Sequence, residues 1–219
     1  MSLKLFIAGT DTGVGKTHIS TGILSAFNQH GHSTLGIKPI ASGCRWIENK
    51  LYSEDTLLHQ QISSVKLAHD VVTPFAFEPP IAPHIAAEMT DCDLSVEILN
   101  ERLRFALDYP ADVKVVEGCG GWYVPLNHLQ TFADFVVEHE FHVVLVVGMR
   151  LGCINHALLT YRAMVQDGAN VIGWIANCID PAMKNRNENI ATLTEWLPVP
   201  CLSVVSHGGH LVINMEEMV

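Results

Sequence analysis

The stretch from Leu5 to Thr17 limits what this chain can fold into more than any other. Leu5-Phe6-Ile7-Ala8 is an apolar run, Gly9-Thr10-Asp11-Thr12-Gly13-Val14-Gly15-Lys16-Thr17 is a glycine-rich turn, and a helical pattern follows. A strand that feeds a helix through such a turn aims several backbone N–H groups, and the positive end of the helix dipole, at one small volume. That volume suits phosphate. In this pattern Lys16 reaches the terminal phosphates and the Thr17 hydroxyl a magnesium ion, while Gly13 and Gly15 let the backbone approach closely. The usual spacing puts a glycine where Thr10 stands here; Gly9 lies one residue earlier, so the loop is a variant one residue longer.

The rest of the chain supplies the partners of that loop. Its 219 residues suffice for one large α/β domain, assigned here to 1–219, with the weakly patterned segment 206–219 expected to be partly disordered. The net charge of −10 argues against a nucleic-acid surface, and a polyanion-binding protein this acidic must concentrate its cations locally, so Lys16 and Lys38 stand out. No apolar run is long enough to span a membrane. Six widely spaced cysteines without a Cys-x-x-Cys pair, and no signal peptide, fit a reduced cytoplasm. The twelve histidines match no recognised metal-ligand set and are expected on the surface.

Taken in order, Ile19, Ile23, Ala26 and Phe27 mark a helix stopping near His30-Gly31, and Thr34 to Ile40 reads as a strand with Lys38 at its end. Ligands of open α/β sheets bind at strand C-termini, which gives Lys38 a functional reading. Cys44 to Ser53 reads as a polar loop, Glu54 and Asp55 open a helix to Ile62, and Val71 to Phe77 reads as a strand. Three prolines between Pro79 and Pro83 make a shaped wall. Ser95 is a candidate N-cap for a helix to Leu107. Val113 to Glu117 is a buried-type strand ending in a carboxylate, a position suited to a second magnesium ligand, with Gly118-Cys119-Gly120-Gly121 after it. Further strands are expected at Phe141 to Val147, Asn170 to Ala176 and Cys201 to Val205, with helices after Ile154 and near Glu188 to Trp196. The alternation predicts an α/β fold of the P-loop type, a mostly parallel sheet of about seven strands covered by helices on both faces.

Together these segments resemble the dethiobiotin synthetases, the ATP-dependent carboxylases of biotin synthesis. The resemblance rests on the Gly9–Thr17 loop, Lys38-Pro39-Ile40-Ala41-Ser42-Gly43, Pro83-His84, Val116-Glu117-Gly118-Cys119-Gly120-Gly121-Trp122 and Gly152-Cys153-Ile154-Asn155-His156-Ala157, in family order. It implies that 7,8-diaminononanoate takes up CO2 as a carbamate, that ATP phosphorylates the carbamate, and that the second amine closes a ureido ring with loss of phosphate. By the same resemblance Thr12, Gly13, Val14, Gly15, Lys16 and Thr17 bind phosphates, and Thr17, Asp55 and Glu117 hold Mg2+. Lys16, Lys38 and Thr12 are the catalytic candidates, and Asn177 reads the adenine. Ser42, Gly118, Cys119 and Gly120 line the substrate. Gly152, Cys153, Ile154 and Asn155 receive its carboxylate across a homodimer with a shared active site. The chain departs from the family at Cys119, commonly Ala, and at Val205-Ser206-His207-Gly208-Gly209, where a proline-containing loop usually covers adenine. Two other readings are an ATPase switch of the partitioning or cluster-assembly type, whose extra loop lysine is here Asp11, and an inactive regulatory paralogue.

Overall fold

In the computed structural model, which describes residues 2–218, strands and helices alternate. In chain order they are β1 (Leu3–Gly9), α1 (Lys16–Gln29), β2 (Thr34–Ile37), β3 (Ile40–Ser42), β4 (Arg45–Ile47), β5 (Lys50–Tyr52), α2 (Glu54–Ile62), α3 (His69–Val72) and β6 (Phe75–Phe77). They continue with α4 (Pro83–Met89), α5 (Val96–Asp108), β7 (Val113–Glu117), α6 (Phe132–Glu138), β8 (His142–Gly148), α7 (Cys153–Gln166), β9 (Asn170–Asn177), α8 (Arg186–Trp196) and β10 (Cys201–Val205). Six strands form one parallel sheet in the order β10-β9-β8-β1-β7-β2.

The main sheet has six strands where about seven were expected, and prolines account for the difference. Pro39 lacks an N–H and ends β2; the chain then re-forms as β3, which pairs in parallel with β6 in a ribbon outside the main sheet. Pro74 divides the expected strand Val71 to Phe77 in the same way, leaving the short helix α3 and the three residues of β6. The expected loop Cys44 to Ser53 is instead the β4–β5 hairpin, turned by Glu48 and Asn49 at φ 47° and 65°. A two-residue turn with both φ values positive matches strand twist, but its usual signature is Asn-Gly, so Glu-Asn carries little warning. Helix α6 was also not anticipated; the Asp134 carboxylate starts it by accepting from Thr131 N–H at 2.6 Å and from Thr131 Oγ1 at 3.0 Å.

The alternation along β1 sorts the two cores. Phe6 and Ala8 face one side, where Phe6 meets Phe132 edge-on at 5.5 Å; Leu5 and Ile7 face the other, against Ile19 and Ile23 of α1. Buried on both faces, such a strand has apolar side chains throughout its centre. Residues 206–218 run back over α1: His18 Nε2 lies 2.8 Å from the Gly209 carbonyl, Leu211 packs over Gly22, and Met218 is buried. Val219, the end of the segment expected to be partly disordered, lies outside the described residues. No helix among the described residues is long and apolar enough to cross a membrane. The connection from β1 to β2 passes over β7, and the connection from β7 to β8 passes back over β1, so neighbouring strands β1 and β7 send their chains in opposite directions. The crevice opened there at the strand C-termini is where such sheets take ligands.

Candidate active site

Three strand ends deliver the charged groups. β1 runs into the phosphate loop, β7 ends at Glu117, and β2 hands over to Lys38, so adjacent strands in the order β1-β7-β2 place all three in one cleft of about 720 Å3. Thr12, Gly13, Gly15, Lys16, Thr17, Lys38, Ser42, Asp55, Glu117, Cys119 and Gly120 line it, and the Pro80–Pro83 wall and Tyr123 close its side. Gly15 needs its φ of +87° to turn the loop into α1, and a Cβ there would fall 2.1 Å from Asn177 Nδ2. No side chain caps α1, so its first N–H groups are left to whatever the loop holds.

The cleft floor is a tight charge cluster. Thr17 Oγ1 lies 2.9 Å from Asp55 Oδ1 and 2.8 Å from Glu117 Oε1. The Lys38 ammonium sits between the same carboxylates, 3.0 Å from Asp55 Oδ2 and 2.6 Å from Glu117 Oε1, and donates to the Gly118 carbonyl at 3.0 Å. Glu117 and Lys38 are both buried, 1% and 4% exposed. Burial alone would push the Glu117 carboxyl up, but the Lys38 charge and the contacts from His59 outweigh it and hold Glu117 far below the usual carboxylate range. For Lys38 burial works downward, and Glu117 and Asp55 outweigh it, raising the ammonium above the ordinary lysine value. Lys16 is different. Its Nζ donates to the Asp11 carbonyl at 2.9 Å and the Gly120 carbonyl at 2.5 Å, but burial and the neighbouring Lys38 lower it to about 8.

The donor set matches a magnesium site. Cis vertices of an octahedron with 2.0–2.1 Å bonds lie about 3 Å apart, the spacing observed from Thr17 Oγ1 to each carboxylate. The ammonium between those carboxylates shows that the spot accepts a cation. The described residues hold no group of three or more His, Cys, Asp or Glu side chains able to bind a metal, so any ion here would depend on the hydroxyl, waters and phosphate oxygens as well. Ser42 Oγ is buried at the cleft wall without a hydrogen-bond partner, a polar atom suited to a ligand.

Other expected site residues lie apart. Val14 is buried beneath the loop, and its carbonyl accepts from Asn177 Nδ2 at 2.8 Å, so Asn177 braces the loop from the end of β9 and does not line the cleft. Gly152, Cys153, Ile154 and Asn155 begin α7 and do not line the cleft of their own chain; Gly152 and Asn155 are exposed, beside Leu151 at 95% exposure. The histidines were expected on the surface, but His59 is fully buried against Glu117, where its ring contacts the carboxylate; the ion pair joining Arg150 to Asp11 of the loop was not anticipated. His59 follows Asp55 by one helical turn, the one signal that could have drawn attention to it.

A model of the family described as AAA domain matches residues 3–212. A protein of Cellvibrio japonicus named ATP-dependent dethiobiotin synthetase BioD is 48% identical over 94% of this chain and 90% of its own length. Proteins of the same name from Pseudomonas aeruginosa and Pseudoalteromonas translucida are 47% and 40% identical over 91% and 92% of the chain, each covered over 88% of its length. Among solved structures, cobyrinic acid a,c-diamide synthase from Mycobacterium smegmatis superposes with a TM-score of 0.59 at 15% identity, over all of this chain and 90% of that one. The septum site-determining protein MinD of Pyrococcus horikoshii gives 0.57 at 14%, over 94% and 82%. At these identities the structural likeness concerns the fold.

Proposed function

This chain belongs to the family of ATP-dependent dethiobiotin synthetases, and on that premise we propose that its polar cleft joins 7,8-diaminononanoate to CO2 with ATP and Mg2+. It is an ATP-dependent ligase of biotin synthesis. The observation that carries the site assignment is the convergence of Lys16, Thr17, Lys38 and Glu117 from three neighbouring strand ends with Asp55 from the first turn of α2, and the unpaired Ser42 hydroxyl on the wall above.

In this reading one substrate amine adds to CO2 and loses a proton, giving a carbamate. The carbamate oxygen attacks the γ-phosphorus of ATP, ADP departs, and the second amine displaces phosphate from the mixed anhydride to close the ring. Phosphoryl transfer of this kind is promoted by positioning and by fixed positive charge. The loop N–H groups and Lys16 hold the phosphates in line, Lys38 faces both the carbamate and the transferring group, and Thr12 borders the γ-phosphate. Thr17, Asp55 and Glu117 would hold Mg2+, which when bound neutralises charge on the β- and γ-phosphates. Ser42, Gly118, Cys119 and Gly120 border the substrate; burial pushes the Cys119 thiol up, which keeps it a protonated wall residue. Asn177 places the loop through Val14, and its proposed contact with adenine rests on the family resemblance.

We propose further that the active site is shared in a homodimer, because Gly152 and Asn155 are exposed at the start of α7 while the cleft of the same chain lacks the segment they belong to. The six unpaired cysteines fit a reducing, cytoplasmic setting. Intact charged groups support a working enzyme over an inactive paralogue, and Asp11, engaged with Arg150, stands where a switch ATPase would carry its extra lysine. The test is direct: protein, diaminononanoate, bicarbonate, Mg2+ and ATP should yield dethiobiotin by mass spectrometry. No product with any nucleoside triphosphate would overturn the assignment.

A further inference from the structure

Glu117 presents its two oxygens to different neighbours. Oε1 faces the cleft, 2.8 Å from Thr17 Oγ1 and 2.6 Å from Lys38 Nζ. Oε2 points inward, where Ser20 Oγ donates to it at 2.8 Å and His59 Nε2 lies 2.9 Å away. Ser20 and His59 are themselves 2.8 Å apart and fully buried, so the three atoms form a closed triangle behind the cleft floor. His59 reaches this triangle from α2, packed against the sheet. Its ring root packs on β2 at Gly36, where an added Cβ would come within 2.8 Å of His59 Cβ and 2.9 Å of Cγ. The Ser53 N-cap, accepting from Thr56 N–H, sets the start of the helix that carries His59.

We infer that His59, with Ser20, is a positioning residue that makes Glu117 a one-oxygen ligand and thereby biases the site toward Mg2+ over Ca2+. Mg2+ takes single oxygens at octahedral vertices, whereas Ca2+ is larger and gains from carboxylates that offer both oxygens. With Oε2 committed to His59 and Ser20, Glu117 has only Oε1 for an ion, and its orientation is set by groups that never touch the ion. The inference rests on the proposed metal role of Glu117, so the experiment separates the two.

Nucleotide affinity is measured by titration calorimetry with ADP in Mg2+, in Ca2+ and in EDTA, for wild type, Glu117→Gln, His59→Leu, His59→Gln and Ser20→Ala, with melting curves for each. Partners behind a metal ligand are commonly worth 10- to 100-fold in metal affinity. His59→Leu should lower Mg2+-supported ADP affinity by about ten-fold or more, leave the EDTA value within two-fold, and spare or improve the Ca2+ value. His59→Gln, which can return an N–H near the position of Nε2, should restore most of the Mg2+ preference. Ser20→Ala should shift the ratio in the same direction as His59→Leu by a smaller factor, and it decides the matter if the leucine variant does not fold. If Glu117→Gln affects Mg2+ and EDTA titrations equally, the metal role itself fails. If Glu117→Gln is selective for the metal while folded His59→Leu, or Ser20→Ala in its place, keeps the wild-type Mg2+-to-Ca2+ ratio, the metal role stands and the positioning inference is overturned.

Discussion

Gly15 shows how little room the phosphate loop leaves. Its positive φ is costly for any other residue, and a methyl group would push Asn177 off the Val14 carbonyl. Strain of this kind costs on the order of 1–3 kcal/mol, so Gly15→Ala should weaken Mg2+–ATP binding by about ten-fold or more in a calorimetric titration; an unchanged affinity would remove the loop from the nucleotide site. Lys38 makes a second case. Removing a preorganised charge donor typically lowers kcat by about 10²–10³, and Lys38→Ala is expected to do so in a steady-state assay. The geometry adds a second effect that strand position alone does not foretell. Lys38 is one of the few cations holding the buried Glu117, and breaking a buried pair costs about 3–5 kcal/mol, so the variant should also melt at a lower temperature. Turnover is therefore compared per folded molecule, well below each melting point. A variant within a few-fold of wild type would make Lys38 structural only.

Among the elements, α6 and its C-cap carry a pH dependence independent of the cleft. His139 closes α6 with its ring against Phe135 and Phe141, at centroid distances of 4.6 and 5.4 Å, and donates from Nε2 to Asn100 Oδ1 at 2.7 Å. Burial, with a smaller push from Lys4, lowers its pKa below the ordinary 6.5. The unfolded chain then takes up the proton first as pH falls, so stability from this group is full above about 6.5 and declines below it, down to the lowered folded value. Partly buried His69, lowered by burial, acts in the same direction. Urea midpoints should thus fall between pH 7.5 and 5.5, and His139→Gln, which keeps a donor for Asn100, should flatten part of that fall. An identical slope in the variant would show that His139 is not a source of it.

At the scale of the whole molecule, the proposed shared site requires a second copy of the chain. The cleft residues of one chain and its Gly152–Asn155 segment stand apart, and exposed Leu151, in the turn before α7, and Leu159, on α7, flank that segment. In a two-fold dimer with shared sites, Lys38→Ala chains mixed with Asn155→Ala chains give hybrids in which one site carries both defects and the other neither. With random exchange, activity should return to about a quarter of wild type from two inactive parents. Isolated tagged hybrids no more active than the parents would place each site within a single chain.

The sequence alone determined the phosphate loop, the parallel α/β frame and the strand-end positions of Lys38 and Glu117, because each depends on neighbours close in the chain: apolar runs, glycine spacing and the rule that these sheets bind at strand ends. It did not reveal the split of Val71 to Phe77, the β4–β5 hairpin or α6, where Pro74, an unusual Glu-Asn turn and a Thr131–Asp134 cap act through weaker local signals. What only the tertiary structure decided is which distant residues share a charge. His59 and Glu117 are separated by 58 positions yet 2.9 Å apart, and Arg150 reaches Asp11 across the top of the sheet. Such pairings follow from the order β8-β1-β7-β2 and from the helices laid over it, and strand order is set by the packing of whole elements, which periodicity within any one of them does not encode.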